Sequence, residues 1–182
     1  MKLRKVWDYI QSDLYRYGRQ KSLRKALRFY IKNKSFRYTF WLRVGRCDNK
    51  YLRFIARNIH KYLSNKYGVE IPTEVDVGYG LYIGHCISIV INPSAKIGNN
   101  CNISQSTTIG ANEGAAANIG DNVYIGPNVC IVENVVIGIN ATIGAGAIVV
   151  KDVDKNATVA GVPAKILSYE EPGRFISNRW KE

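Results

Sequence analysis

From Ile119 onward an aliphatic residue returns at every sixth position, at Ile119, Ile125, Ile131, Ile137, Ile143 and Val149, and the fourth residue after each is Val123, Val129, Val135, Ala141, Ala147 and Val153. A step of six along an α-helix turns a side chain through about 240°, which would scatter these residues around the axis. The even spacing suits extended chain, yet a single strand of this length is far from the usual five or six residues. The chain must therefore turn every few residues. Between the two apolar positions stand Asn122, Asn128, Asn134, Asn140 and Gly146, with Asn100 in an earlier unit. Asn and Gly are the residues that best tolerate the positive φ of a tight corner. Each unit reads as a short strand plus a corner. Stacked as coils, such units put the aliphatics inside and bond each strand to those about 4.8 Å above and below it.

Followed backwards, the repeat runs through Ile109, Ile103, Ile97, Ile91, Ile83, Val77 and Ile71, giving thirteen units. It breaks twice. Eight residues separate Ile83 from Ile91, and ten separate Ile109 from Ile119. Extra residues in a stacked scaffold bulge or loop outward, and such irregularities are where function concentrates. The first break contains His85; the second is the small-residue segment from Gly110 to Asn118.

The first third of the chain follows another period. Leu23, Leu27, Tyr30 and Ile31, then Phe36, Phe40, Trp41 and Val44, have helical spacing. With Ser22 and Ser35 as N-caps and Gly18 and Gly45 as stops, three or four short helices are predicted to about Lys66. Charge marks the same division. Residues 1–67 carry 19 Lys/Arg against Asp8, Asp13 and Asp48, with no acid between Leu14 and Cys47, whereas 68–166 are mildly acidic and 167–182 neutral. The organisation is thus a basic α-helical part (1–67), a repeat domain (68–166) and a tail (167–182). The basic part reads as a helical cap with a solvated face, or as an attractor of an anionic cofactor, lipid head group or acidic glycan. Nucleic acid is disfavoured, because no helix-turn-helix, finger or aromatic RNA-binding motif accompanies the charge.

Composition excludes other classes. With 46% hydrophobic and 22% charged residues in 182, disorder, collagen and a disulfide miniprotein are ruled out. No apolar run approaches the roughly 20 residues of a membrane span, and no secretory signal opens the chain. Cys47, Cys86, Cys101 and Cys130 show no metal-ligand spacing and read as reduced thiols, so the expected location is cytoplasmic, with the basic part able to meet the inner membrane surface.

The repeat, His85 within Gly80-Leu81-Tyr82-Ile83-Gly84-His85, and the ending Ala160-Gly161-Val162-Pro163-Ala164-Lys165 together resemble the hexapeptide-repeat acyltransferases, within them the serine acetyltransferase group and its saccharide-modifying relatives. The resemblance covers about Gly68 to Leu167, with weaker similarity around Ser12-Asp13-Leu14 and Arg43-Val44-Gly45. It implies a mainly β fold, a left-handed parallel β-helix with an α-helical N-terminal part, assembled as a trimer that helical segments could pair into a dimer of trimers. It also implies acetyl-CoA as donor, with no metal. His85 matches the catalytic base and Glu70 the acid that orients it. Imidazole, with an ordinary pKa near 6.5, suits removal of a hydroxyl proton near neutral pH. A carboxylate on its second nitrogen would fix the tautomer. Spacing alone leaves Glu74 and Asp76 open in place of Glu70. Cys86 raises a covalent route, but neighbours in extended chain point to opposite sides, which favours direct transfer. By the same resemblance Gly126, Gly144 and Ala145 let the pantetheine arm approach, and Lys151 and Lys165 meet its phosphates.

Two departures bear on the acceptor. The family's Asp before the catalytic His is Gly84 here, and the loop's Arg-His pair is replaced by Ala115-Ala116-Ala117. A zwitterionic amino acid needs such charged partners. The sequence therefore favours O-acetylation of a saccharide or glycan-precursor hydroxyl, with Tyr79 and Tyr82 as stacking surfaces. Serine O-acetylation for cysteine synthesis is the first alternative. N-acetylation of a nucleotide-linked amino sugar and a non-enzymatic β-helix scaffold are the others.

Overall fold

The computed structural model describes residues 1–18 and 23–181. Four helices open the chain: α1 (Leu3–Arg16), α2 (Leu23–Lys32), α3 (Lys34–Val44) and α4 (Lys50–Tyr67). The cap of α3 is Asn33, whose side chain accepts from the Phe36 N–H, and not Ser35, which is buried one residue inside the helix. An amide two residues upstream reaches the free N–H that a buried Ser35 hydroxyl does not. Ser22 lies outside the described residues. Asn49 caps α4 through the N–H groups of Tyr51 and Leu52, and Gly68 ends it at φ 63°, a left-handed conformation that starts the next element one residue later.

Fifteen short strands follow among the described residues, and they form three faces of a prism. The first face stacks β1 (Val69–Glu70), β4 (Ile89–Ile91), β7 (Thr108–Gly110), β10 (Cys130–Val132) and β13 (Ile148–Val149). The second stacks β2 (Asp76–Val77), β5 (Lys96–Ile97), β8 (Asn118–Ile119) and β11 (Val136–Ile137). The third stacks β3 (Tyr82–Ile83), β6 (Asn102–Ile103), β9 (Tyr124–Ile125), β12 (Thr142–Ile143) and β14 (Thr158–Ala160), and β15 (Lys165–Ser168) closes it by running antiparallel to β14. The chain visits the faces in strict rotation, each strand pairing in parallel with its counterpart in the next coil. This is the left-handed parallel β-helix that the family resemblance implies.

All thirteen repeat aliphatics are buried, from Ile71 to Val149, and so are the partner positions Val123, Val129, Val135, Ala141, Ala147 and Val153. The corners fall at Asn100, Asn122, Asn128, Asn140 and Gly146 with positive φ, as the spacing predicts. Asn134 is the exception: Glu133 takes the left-handed conformation instead, at φ 56°. Its carboxylate accepts from the N–H groups of Asn112 and Glu113, so it tethers the extruded loop of the coil below.

The helical part is fastened to the first coil by a buried cluster. Arg43 donates to both carboxylate oxygens of Asp13 at 2.9 Å and to the carbonyls of Val77 and Gly78 at 2.8 and 2.7 Å. Asp13 in turn accepts from the Leu81 N–H, Ser12 Oγ accepts from Gly80 N–H, and Arg16 donates to Gly80 O and Asn102 Oδ1. Two cations of the basic part are therefore interior fasteners rather than a solvated face. The tail returns across the third face, where Arg16 donates to Ser177 O and Asn100 exchanges hydrogen bonds with Trp180. Among the described residues no helix is long and apolar enough to cross a membrane.

Candidate active site

His85 sits at the corner that carries the chain from the third face to the first, between β3 and β4. The register pairs Ile83 with Ile103 and Ile91 with Ile109, so this corner holds two more residues than the one above it. The excess is absorbed by a tight bend, with Ile87 N–H donating to His85 O, and by Ser88 at φ 53°. His85 is thereby exposed while Cys86 turns into the core. Burial pushes the Cys86 thiol up to about 12, which keeps it protonated and removes it as a nucleophile at neutral pH.

The segment leading to His85 is gripped from the side. Tyr79 stacks on Tyr9 with ring centroids 4.0 Å apart, and Tyr82 lies 4.7 Å from Tyr17, whose buried hydroxyl donates to Ile83 O. The two tyrosines read from sequence as acceptor surfaces are packed against α1. One ring face of Tyr79 is covered outright.

The three carboxylates open at the sequence level separate here. Glu74 pairs with Arg57 at 3.0 Å and Asp76 with Arg46 at 3.9 Å, both directed at the helical part. Glu70 stands on the outer side of β1, opposite Val90, on the face that the His85 corner enters. That corner lies directly above Gly68, where Ile89 N–H donates to Gly68 O, two residues before Glu70. Among the described residues no hydrogen bond or ion pair joins Glu70 to His85. Glu70 opens into a groove of about 590 Å³ between α4 and the first coil, lined also by His60, Ser64 and Val90. His60 is buried there, its ring 4.7 Å from Tyr38 and its Nε2 without a partner, and burial pushes it down to about 4.

Above His85 the same edge of the prism continues as Ser104-Gln105-Ser106, Gly126-Pro127-Asn128 and Gly144-Ala145-Gly146. Each corner is tied to the next, as in Ser106 N–H to Ile87 O, Asn128 N–H to Gln105 O and Gly146 N–H to Pro127 O. From His85 to Ala145 is three coil spacings, roughly 14 Å. The Ser104–Ser106 corner escaped sequence reasoning, although it occupies the register of the two glycine corners. A Cβ on Gly126 would lie 2.8 Å from Ala145 N, and one on Gly144 would lie 2.9 Å from Ala160 Cβ. These glycines are thus demanded by the next coil of the same chain, whether or not a ligand runs alongside. Ala145 itself is exposed.

The turn before Lys165 caps this edge, with Ala164 N–H donating to Ile148 O. Lys151 does not share it. It follows β13 and leaves the first face on the opposite edge, the one from which the loop of residues 110–118 emerges. The predicted phosphate pair is therefore split between two edges within one chain. The small loop likewise stands a full face away from His85. Among the described residues no three His, Cys, Asp or Glu side chains gather as a metal site requires.

The family pattern described as Bacterial transferase hexapeptide (six repeats) matches residues 116–151. A serine acetyltransferase of Bacillus pumilus (strain SAFR-032) is 30% identical over 146 residues, covering 72% of this chain and 67% of that protein. The chain belongs to the hexapeptide-repeat acyltransferases, in the serine acetyltransferase group. Other relatives are longer: a Buchnera aphidicola serine acetyltransferase is 35% identical, with 65% of this chain and 45% of that one aligned. Among solved structures, the Neisseria gonorrhoeae serine acetyltransferase in complex with serine superposes with a TM-score of 0.74 at 29% identity, covering 91% of this acyltransferase and 70% of that chain. A serine acetyltransferase in complex with CoA gives 0.75 at 25% identity, over 90% and 70%. This acyltransferase uses acetyl-CoA as its donor.

Proposed function

We propose that the chain transfers acetyl from acetyl-CoA to the hydroxyl of serine, with His85 as general base. The acceptor rests on the relatives, which are serine acetyltransferases, one of them bound to serine. They support serine over the saccharide hydroxyl favoured by the sequence. The observation that carries the mechanism is the edge itself: an exposed imidazole, pushed out by a two-residue excess, heads a column of corners along which an extended thioester arm can lie.

The acceptor hydroxyl gives its proton to the ring of His85 as its oxygen attacks the thioester carbonyl. Glu70, the one candidate acid not engaged by an arginine, is the group to steady the imidazolium once it moves against the ring. Of the described corner N–H groups on this edge, those of Gln105 and Ala145 are not taken up by coil-to-coil bonds and are suited to the developing oxyanion. The proton then passes from His85 to the departing thiolate, so that the base is restored as CoA leaves. The arm runs past Gly126, Gly144 and Ala145 toward Lys165. Lys151 and the 110–118 loop, on the opposite edge of the first face, serve the same site in a trimer that sets this edge against the other edge of a neighbour.

A second reading, a saccharide hydroxyl, keeps the support of Gly84 and of the Ala115-Ala116-Ala117 segment, around which the serine-binding group carries charge. Thiol release from acetyl-CoA, measured with L-serine and with a panel of sugars and sugar nucleotides, distinguishes the two. Saturable release with serine supports the first reading; release with a sugar and none with serine overturns it. His85→Ala should lower release with the true acceptor by about 10²–10⁴-fold. Undiminished activity in that variant would remove the general base.

A further inference from the structure

We propose that the outer face of α2, with the aromatic cleft beside it, docks the protein on an anionic lipid bilayer. Leu27 and Ile31 are 62% and 63% exposed and lie one turn apart on a ten-residue helix. Arg24, Arg28 and Lys32, also exposed, continue the same surface as a row at i, i+4 and i+8, so an apolar row and a cationic row run side by side. Beneath Leu27 opens a cleft of about 360 Å³, almost wholly apolar, between α1, α2 and α3, with Trp7, Tyr30, Phe40 and Trp41 in its wall. Trp41 keeps its indole N–H on the Tyr30 hydroxyl, so these two side chains direct their polar atoms at each other and not at the cleft opening.

The charge selects the occupant. Of the three acids in residues 1–67, Asp13 is consumed by Arg43 and Asp48 by the N-terminal ammonium. A second copy of the chain would set this cationic row against itself. A purely anionic polymer would gain nothing from Leu27, Ile31 and the cleft. A bilayer with acidic head groups satisfies both rows at once, since apolar side chains enter the head-group boundary while each cation near the surface adds about fivefold to partitioning.

The test is co-sedimentation of the full chain with extruded vesicles of phosphatidylcholine alone, or with one-third phosphatidylglycerol. Pelleting is expected with the anionic vesicles and not with the neutral ones. It should fall when salt rises from about 0.1 M to about 1 M, which shortens the screening length from about 10 Å to about 3 Å. Leu27→Ser with Ile31→Ser should weaken partitioning about tenfold or more, and Arg24→Gln with Arg28→Gln about 25-fold. Thiol release in solution should be unchanged in both variants, which checks their fold. Failure to pellet with anionic vesicles at low salt overturns the proposal. So does equal binding to neutral vesicles, or wild-type partitioning by the serine variant. A concentration-dependent dimer that the serine variant abolishes would assign the face to a second copy instead.

Discussion

Replacing Asp13 by Leu should cost more than any surface change in this protein, and the structure gives the size. Both members of the Asp13–Arg43 pair are 1% exposed, and the pair holds two hydrogen bonds at 2.9 Å. Without the carboxylate, Arg43 keeps the carbonyls of Val77 and Gly78 and the Tyr9 ring 4.7 Å away, but no countercharge. Leu81 N–H loses its acceptor as well. Removing one partner of a buried pair costs about 3–5 kcal/mol. With a urea m-value near 2 kcal/mol/M, a 4 kcal/mol loss moves the midpoint down by roughly 2 M. The companion variant Asp13→Leu with Arg43→Met removes both charges and should recover at least about half of the loss, because no uncompensated ion remains buried. Urea unfolding followed by far-ultraviolet circular dichroism reads both. A single variant losing less than about 1 kcal/mol, the size of an exposed pair, would refute the reasoning. A double variant less stable than Asp13→Leu would refute it too. The cluster grips residues 77–81, immediately before the His85 corner, so Asp13→Leu should also depress thiol release while the protein remains folded.

His60 gives a dependence on pH. Its folded value is pushed down to about 4 by burial, with the Glu74 charge opposing, while the unfolded imidazole titrates near 6.5. The unfolded chain then binds a proton that the folded chain refuses, so stability is full above about pH 6.5 and falls by roughly 3 kcal/mol on the way to pH 4. Denaturation midpoints across that range should show the fall, and His60→Phe should remove it. Cys86→Ala should leave thiol release within about twofold of wild type, because the buried thiol takes no part in transfer; an acetylated Cys86 in a mass spectrum of the quenched reaction would contradict direct transfer. Gly126→Ala drives a methyl to 2.8 Å from the Ala145 nitrogen and should lower stability by about 1–3 kcal/mol, read from the thermal midpoint.

What the sequence made legible is what repeats. A buried aliphatic every six residues has one geometric meaning, and the thirteen positions from Ile71 to Val149 could be placed inside the prism before any coordinate was known. Interruptions of that rhythm were equally legible, because extra residues in a stacked coil can only leave it; hence His85 and the 110–118 loop. The misreadings arose where a residue's role depends on a partner remote in the chain. Arg16 binds Ser177, 161 positions away, and Arg43 binds Asp13 across two helices, so a count of charges read both as solvated. Tyr79 and Tyr82 carry the composition of a sugar platform, but Tyr9 and Tyr17 cover them from α1. Lys151 and Lys165 look alike in sequence until the rotation of faces is followed. Fourteen residues advance the chain less than one full coil, so the two lysines fall on different edges. The same rotation explains why His85 and the loop, both adjacent to the first face, never meet within one subunit. A column of corners can present a donor along its length, and in the trimer proposed above the opposite edge of a neighbouring copy brings the loop up to it. In the proposed trimer the acceptor preference becomes a property of two edges in contact, and substituting the exposed Ala115 by a charged residue should change the acceptor KM while leaving the affinity for acetyl-CoA near its wild-type value.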